Sequence, residues 1–360
     1  MSGIDVVVPC YNYARYLERC VGSVLNQENV NVRVLIIDDT SKDESEAVGR
    51  RIAASDPRVE FRRHEVNKGH IATYNEGLLG WASADYCLLL SADDMLASGA
   101  LGRAARVLDN HPDVGLVYGT ALIMTDDSTV QAPSDAASSD YRVLSSQQFL
   151  QRCFERGNPV PTPTAITRTR LQHQLGGYRA DLPHAGDMEM WMRFAAHAPV
   201  AALRSVQAYY RMHSANMSNF YFSRISGDTH EQLKVCGDVL EKLGRRDAGT
   251  AGWELAMRRR LGEQAFWIGS DLFDRGDAAW RECHALADEI YPQLRGSGLF
   301  DRFNIKQRFG MRGWRLVRPL LDLLRGPPEM NSMASNKPTP VQANRRLGWW
   351  PEASDVAGSL

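Results

Sequence analysis

Tyr86-Cys87-Leu88-Leu89-Leu90-Ser91-Ala92-Asp93-Asp94 is an apolar run of strand length that ends abruptly in two adjacent carboxylates. Such a run reads as a central strand of a parallel sheet, because both of its faces need apolar cover. In open α/β sheets, ligands collect beyond the carboxyl ends of the strands. Two neighbouring carboxylates at such a place repel each other unless a cation lies beside them. Hard oxygen donors suit Mg²⁺ or Mn²⁺, ions that usually arrive with a substrate's phosphates. The stretch therefore predicts a metal–diphosphate site at a strand end. The simpler reading is a solvated turn before the helix that opens near Ser98.

Working outward, the same punctuation recurs. Residues 4–8 form a short β-branched run closed by Pro9, and Cys10-Tyr11-Asn12 reads as a turn. A helix follows with Leu17, Val21, Val24 and Leu25 on one face. A second strand over 32–37 ends in Asp38-Asp39-Thr40-Ser41, and helix caps follow at Ser41 and Asp43. A weaker strand at 59–62 leads to Asn67-Lys68-Gly69, which opens another helix ending near Trp81. After the Asp93-Asp94 turn come a helix from about Ser98 to Asn110 and a strand or hairpin at 114–124. Strands alternating with helices predict right-handed βαβ units, an α/β class and a mostly parallel sheet flanked by helices.

Further on, residues 126–140 are rich in Asp, Ser, Ala and Pro and read as a loop, and 159–163 as an extended, rigid segment. Gly176-Gly177 marks a turn before a helix around 187–196, and 200–210 reads as a strand returning to the sheet. Helical periodicity then dominates 228–291 and predicts a three-helix appendage.

The bulk numbers narrow the function classes. A chain of 360 residues with 44% hydrophobic and 24% charged content is an ordinary globular protein. A net charge of -1 excludes a chain-wide nucleic-acid footprint, so no nucleic-acid partner is expected. The 6 cysteines (Cys10, Cys20, Cys87, Cys153, Cys236, Cys283) are scattered, which argues for reduced core thiols rather than a zinc site or disulfides. The first residues lack a basic n-region, and no run approaches about 18 apolar residues, so a cytoplasmic protein is expected.

Four stretches begin at or beside a predicted strand end: Val6-Val7-Val8-Pro9-Cys10-Tyr11-Asn12, Ile36-Ile37-Asp38-Asp39-Thr40-Ser41-Lys42-Asp43, Asn67-Lys68-Gly69 through Asn75-Glu76-Gly77, and Ser91-Ala92-Asp93-Asp94. Together they resemble the nucleotide-sugar half of family 2 glycosyltransferases, inverting enzymes of the GT-A fold. Gly186-Asp187-Met188-Glu189-Met190-Trp191 and Tyr210-Arg211-Met212-His213 are similar to that family's acceptor-side motifs. The resemblance covers about residues 4–219. It implies a GT-A-like domain over 1–220, with a nucleotide-sugar half at about 1–125 and an acceptor half at about 140–220. A helical appendage (221–300), a basic amphipathic segment (301–326) and a disordered tail (327–360) are expected to follow.

The resemblance also implies residue roles. Asp39 would accept from the nucleotide base or ribose, as a carboxylate suits N–H and O–H donors; by position it could equally cap the following helix. Pro9 and Tyr11 would wall the base, with Asn12 beside them; Tyr11 could equally be a half-buried core aromatic. Asp93 would bond the ribose or a metal-bound water. Asp94 would ligate the metal, with His213 near the metal or diphosphate. Lys68 and Arg211 are the candidate phosphate cations. In an inverting transfer the acceptor hydroxyl attacks opposite the nucleotide and loses its proton as the bond forms. Asp187 matches the family's base, with Glu189 as fallback and helix capping as the alternative for Asp187. Trp191 reads as a core anchor. The chain departs from the family pattern at Ser91 (often Asp), Tyr74 (often Arg), Thr40 (usually Gly) and Gly186 (usually an acid). His64 and His70 carry no assigned role.

Residues 302–325 hold Arg302, Lys306, Arg308, Arg312, Arg315, Arg318 and Arg325 against Asp322, and Pro319 is predicted to break the helix. Trp314, Phe309 and several leucines supply apolar surface. The segment suits peripheral contact with an anionic membrane, the inner face of the cell membrane, or packing on the protein with a solvated basic edge.

The resulting expectation is metal-dependent, inverting transfer from a nucleotide-diphosphate sugar, a UDP-sugar first among them. The acceptor hydroxyl would belong to a glycan or lipid-linked acceptor in cell-surface polysaccharide or glycolipid biosynthesis. A nucleotidyltransferase is the alternative enzyme, but it would normally show a Gly-rich basic loop where Pro9-Cys10-Tyr11-Asn12 stands. A non-catalytic nucleotide-sugar-binding protein is the other alternative, prompted by Ser91, Tyr74 and Gly186.

Overall fold

The computed structural model describes residues 1–125, 138–213, 216, 225–243, 248–325 and 345–348. The chain forms two compact units. The first comprises Met1–Cys153, Gly157–Ser214 and Gln342–Leu360; the second comprises Phe154–Arg156 and Ala215–Val341.

In the first unit, β1 (Gly3–Cys10), β2 (Asn31–Asp38), β3 (Val59–Arg63) and β4 (Tyr86–Leu89) pair in parallel, in the spatial order β3-β2-β1-β4. The apolar runs do what their composition demands: β4 is buried along its whole length and β1 nearly so. α1 (Ala14–Leu25) turns Tyr16, Leu17, Cys20, Val21 and Val24 inward, and α2 (Ser45–Ser55) turns Val48 and Ile52 inward. α3 (His70–Gly80) lies so close to β1 that a Cβ on Gly77 would fall 2.3 Å from Val7 Cγ1. β1 continues through Cys10 instead of closing at Pro9. The last β1–β4 pair is Val7 with Leu89, so the missing N–H of Pro9 falls where only β2 still flanks the strand.

Beyond β4 the sheet becomes mixed. β8 (Ile166–Arg168) runs antiparallel between β4 and β6 (Leu116–Met124), and β6 runs parallel to β9 (Val200–Arg211). β5 (Met95–Leu96) and β7 (Tyr141–Leu144) are antiparallel on β9. The helices on this side are α4 (Ala100–Asn110), α5 (Ser146–Arg156), α6 (Thr169–Leu175) and α7 (Gly186–Ala195). The periodicity of the sequence did not announce β5, β7, β8, α5 or α6. α5 did carry a readable start: Ser145 and Gln148 form a capping box, with Gln148 N to Ser145 Oγ at 3.2 Å and Ser145 N to Gln148 Oε1 at 2.9 Å. The segment expected to be extended at 159–163 instead ends in a 3₁₀ turn, Thr162–Thr164.

The expected loop at 126–140 lies outside the described residues up to 137. The expected disordered tail does too, apart from 345–348, which are ordered as β10 (Arg346–Leu347) antiparallel to β6. Ile123 N donates to Arg345 O at 2.8 Å, and Leu347 packs against the main core.

The second unit is helical, as the pattern predicts: α8 (Ile225–Lys242), α9 (Ala248–Arg275), α10 (Trp280–Ile290) and α11 (Gly298–Arg325). Its core gathers Phe266, Phe273, Trp280, His284 and Phe303. His284 stacks on Phe266 at 4.6 Å, and burial pulls its pKa down to about 4. α11 breaks at Gly310 (φ 63°, ψ 166°) rather than at Pro319, past which the helix continues. Among the described residues no helix is long and apolar enough to cross a membrane. All six cysteines are buried, and none of them is in a disulfide.

Candidate active site

The carboxyl end of β1 is the hub of the site. Asp39 N donates to Cys10 O at 2.9 Å, and Ala92 N donates to Pro9 O at 3.3 Å. The acidic turns after β2 and β4 thus hang on successive carbonyls of one strand end. The adjacent acids Asp38 and Asp39 differ in role. Asp38 is wholly buried, pairs with Arg63 and accepts from Ser41 N at 3.1 Å, so it is structural. Asp39 accepts from Lys68 N (2.8 Å), Gly69 N (2.9 Å) and a His64 Nδ1 contact of 2.7 Å. An ionised carboxylate has about four lone-pair sites, and among the described residues three of them are taken. Asp39 does not cap α2, whose N-cap is Glu44; it anchors the start of α3.

The neighbouring turn residues are cross-tied. Asn12, in the left-handed region (φ 60°), receives Lys42 N on Oδ1 at 2.8 Å and donates its own N–H to Ser41 Oγ at 2.8 Å. Thr40 is also left-handed (φ 64°), which explains why glycine is the expected residue there. Its Oγ1 donates to His64 O at 3.0 Å and offsets part of that strain. Tyr11 is exposed and Pro9 half-buried at the same rim.

Asp93 and Asp94 are both buried. Asp94 Oδ1 accepts from Arg211 N at 2.8 Å, and His213 Nε2 lies 3.1 Å from Asp93 Oδ2. Tyr16 stacks on His213 at 5.3 Å, and Tyr13 meets its edge at 5.5 Å. Burial, and then the charge of Asp93, push the Asp94 carboxyl well up; burial and the same two acids push the Tyr13 hydroxyl up. A buried pair of like acids with hard oxygen donors fits a divalent cation, which would relieve the repulsion. It is not a closed cage: among the described residues no three His, Cys, Asp or Glu side chains gather to hold a metal. The diphosphate and water would have to supply the remaining ligands.

The two expected phosphate cations are engaged elsewhere. Arg211 is buried; its Nε donates to Asp93 O at 2.8 Å and its guanidinium sits 4.5 Å over the Tyr16 ring. These contacts brace β9 against the acidic turn. Lys68 is exposed, and its Nζ pairs with Glu76 at 2.8 Å.

Asp187 stands in the first turn of α7, half-buried, with Thr162 Oγ1 donating to its Oδ2 at 2.6 Å. Burial raises its carboxyl, against the lowering effects of Thr162 and of its own backbone N–H. Glu189 is buried and gripped by Arg193, with Nη2 at 2.8 Å and Nε at 3.0 Å. That ion pair occupies both oxygens of the Glu189 carboxylate. Trp191 is buried against Tyr178, as an anchor should be.

Helix α3 joins the donor and acceptor sides. Asn75 Nδ2 donates to Tyr178 O (2.9 Å), and Tyr178 N donates back to Asn75 Oδ1 (2.7 Å). A Cβ on Gly177 would lie 2.1 Å from that Oδ1, so glycine is required there. His70 lies in electrostatic reach of both Asp187 and Asp39, and burial lowers its pKa. His70, Tyr74 and Tyr178 form an aromatic row at 5.5 and 5.4 Å, with Tyr74 standing where a family arginine was expected.

With this geometry in place, comparison with known proteins is decisive. The glycosyl transferase family 2 model matches residues 5–171. An uncharacterized glycosyltransferase of Nostoc sp. is 30% identical over 235 residues, 64% of this chain and 70% of that protein. The chain belongs to glycosyl transferase family 2. Another relative is the Campylobacter jejuni GalNAc(5)-diNAcBac-PP-undecaprenol beta-1,3-glucosyltransferase. It is 26% identical, over 43% of this chain and 49% of its own length. The chain spans 63% of the length of an uncharacterized Mycobacterium tuberculosis relative. The fold is similar to that of S. aureus TarS 1-349 in complex with UDP-GlcNAc (TM-score 0.53, 16% identity, 82% of this chain and 91% of that one). It is also similar to that of the Pyrobaculum calidifontis mannosyltransferase PcManGT in complex with GDP-Man and Mn2+ (TM-score 0.51, 17% identity, 90% and 88%). The GT-A-like architecture is therefore shared.

Several residues of this family 2 site were not singled out in the sequence. Tyr16 was hidden in the apolar face of α1 and Tyr13 at its N-cap, although both pack around His213. Thr162 sat in a proline-rich stretch with no signal linking it to Asp187, 25 residues away. His64 and His70 lacked any periodicity to place them.

Proposed function

We propose that this family 2 glycosyltransferase is an inverting enzyme that moves a sugar from a nucleotide-diphosphate sugar to a hydroxyl of a growing glycan or lipid-linked acceptor. Its setting would be cell-surface polysaccharide or glycolipid synthesis. The observation that carries this reading is the attachment of both acidic turns to the end of β1. Asp39 binds the nucleotide base or ribose beside Pro9, Tyr11 and Asn12. Asp93 and Asp94 hold Mg²⁺ or Mn²⁺, which when bound offsets the charge on the leaving diphosphate. Asp187 accepts the proton of the attacking hydroxyl. A raised carboxyl is the more effective base, because its pKa lies nearer the working pH. The Thr162 hydrogen bond fixes the carboxylate's orientation. The transition state carries oxocarbenium character, by analogy with glycoside hydrolysis.

The relatives that carry donors hold UDP-GlcNAc in one case and GDP-Man with Mn2+ in the other, so both bases belong in the test. A thermal-shift screen of UDP- and GDP-sugars, with and without Mn²⁺, should show one donor that raises the melting temperature by several degrees. A ligand at 100 times its Kd stabilises by about 2.7 kcal/mol through mass action. Absence of any shift across the panel would remove the donor assignment.

The basic segment at 302–325 supplies a peripheral contact with an anionic membrane face. Exposed Ile305, Phe309 and Leu316 alternate with exposed Arg302, Arg308, Arg312 and Arg315. Each basic residue near such a surface contributes roughly 1 kcal/mol before screening. The full chain should co-sediment with phosphatidylserine vesicles but not phosphatidylcholine vesicles, and Arg308→Glu with Arg312→Glu should release it. Pelleting with neither lipid would end the membrane assignment.

A further inference from the structure

We propose that His64 is the positioning residue that sets the donor-binding rotamer of Asp39. The inference rests on the reading of Asp39 as a nucleotide-binding carboxylate. His64 follows β3, and its main chain is pinned on both sides: its N–H donates to Asp38 O at 2.9 Å, and its carbonyl accepts Thr40 Oγ1 at 3.0 Å. The ring is buried between two acids, with Nδ1 2.7 Å from Asp39 Oδ1 and Nε2 3.0 Å from Glu76 Oε2. Lys68 closes the circuit, because its N–H reaches the same Asp39 oxygen (2.8 Å) and its Nζ the same Glu76 oxygen (2.8 Å). Four residues, from the ends of β2 and β3, the following loop and α3, therefore form one hydrogen-bonded ring.

An ionised carboxylate only accepts, so the bond to Asp39 is made by the His64 form that carries a proton on Nδ1. Its Nδ1 lies 2.7 Å from Asp39 Oδ1, the oxygen that Lys68 N also reaches. The N–H groups of Lys68 and Gly69 take one oxygen each, and the imidazole adds a second donor on Oδ1 that locks this rotation. The remaining acceptor direction of Asp39 is then aimed before the nucleotide arrives, and binding does not have to order it. Outer partners of this kind typically contribute 10- to 100-fold to the affinity of the group they orient, as seen around metal ligands.

The test uses UDP and GDP, each with Mn²⁺, as calorimetric probes on the full chain. His64→Leu should weaken the tighter nucleotide by about tenfold or more. His64→Asn places an amide N–H where Nδ1 stood and should restore binding to within about threefold; His64→Gln places it at the Nε2 position and should not. In transfer assays the His64→Leu change should raise the donor KM and leave kcat at saturating donor largely intact. Wild-type affinity in His64→Leu would overturn the proposal. So would equal losses in the Asn and Gln variants that track a lowered melting temperature, because they would mark His64 as a structural residue alone. Asp39→Asn separates the two claims. If it binds nucleotide normally, the donor role of Asp39 falls and takes this one with it. If it loses binding while His64→Leu does not, only the His64 role is wrong.

Discussion

Asp187→Asn is expected to lower kcat for sugar transfer by about 10²- to 10⁴-fold, the usual contribution of a positioned general base. Donor affinity should stay within about twofold, because Asp187 serves the acceptor hydroxyl. The pH dependence follows from burial, which raises the Asp187 carboxyl above its ordinary range. Only the ionised form is a base, so the acid limb of the kcat profile should lie above the ordinary carboxylate region and vanish in the Asn variant. The sign for stability is the reverse. A carboxyl raised in the fold stabilises the protein below its unfolded pKa, and that stabilisation is lost as pH rises through the folded value. The amide cannot ionise, so Asp187→Asn should melt no lower than wild type at pH 7. Near-normal turnover in this variant would take the base role away from Asp187.

Asp94→Asn should have an effect of similar size by a different route. The amide oxygen can still accept from Arg211 N, so the turn keeps its shape. What is lost is one of two adjacent buried charges that favour a cation. A bound divalent ion stabilises developing charge by several kcal/mol, so transfer should fall by about three orders of magnitude. The Mn²⁺-dependent part of the nucleotide-induced thermal shift should disappear, while the ligand-free protein melts at or above the wild-type temperature. A full Mn²⁺ response in Asp94→Asn, read by the same melting assay, would show that the ion is held elsewhere or not at all.

The two halves of this chain were legible to different degrees, for a physical reason. β4, most of β1 and the Val34–Ile37 half of β2 are buried on both faces, so they read as apolar runs, and each strand stops at turn chemistry that the sequence shows openly. The α/β class and the strand-end acids followed from that. Within the Asp38-Asp39 pair, composition could not separate the roles. The strand pleat does so: Asp38 is the last strand residue and meets Arg63, whereas Asp39 is the first beyond it. Charged residues were the harder case, because a sequence does not show which partner neutralises a charge. Arg211 read as a phosphate clamp, and its Nε donates to the main chain of the acidic turn, a contact no pattern in the sequence showed. Glu189 read as a spare base, although Arg193 one helical turn later was a visible partner. The strands missed were two to four residues long, or, like β10, returned from far along the chain, where no local period could reveal them.

The acids beyond the carboxyl ends of β2 and β4 are proposed to grip a nucleotide diphosphate together with a divalent ion. Calorimetric titration of UDP and GDP into the wild-type, Asp39→Asn and Asp94→Asn proteins, each with and without Mn²⁺, tests it most directly. Mn²⁺ should tighten the binding of one nucleotide by at least about tenfold, roughly 1.4 kcal/mol. Asp94→Asn should erase that gain, and Asp39→Asn should weaken binding whether Mn²⁺ is present or not. Nucleotide affinity indifferent to Mn²⁺ and to both substitutions would contradict it.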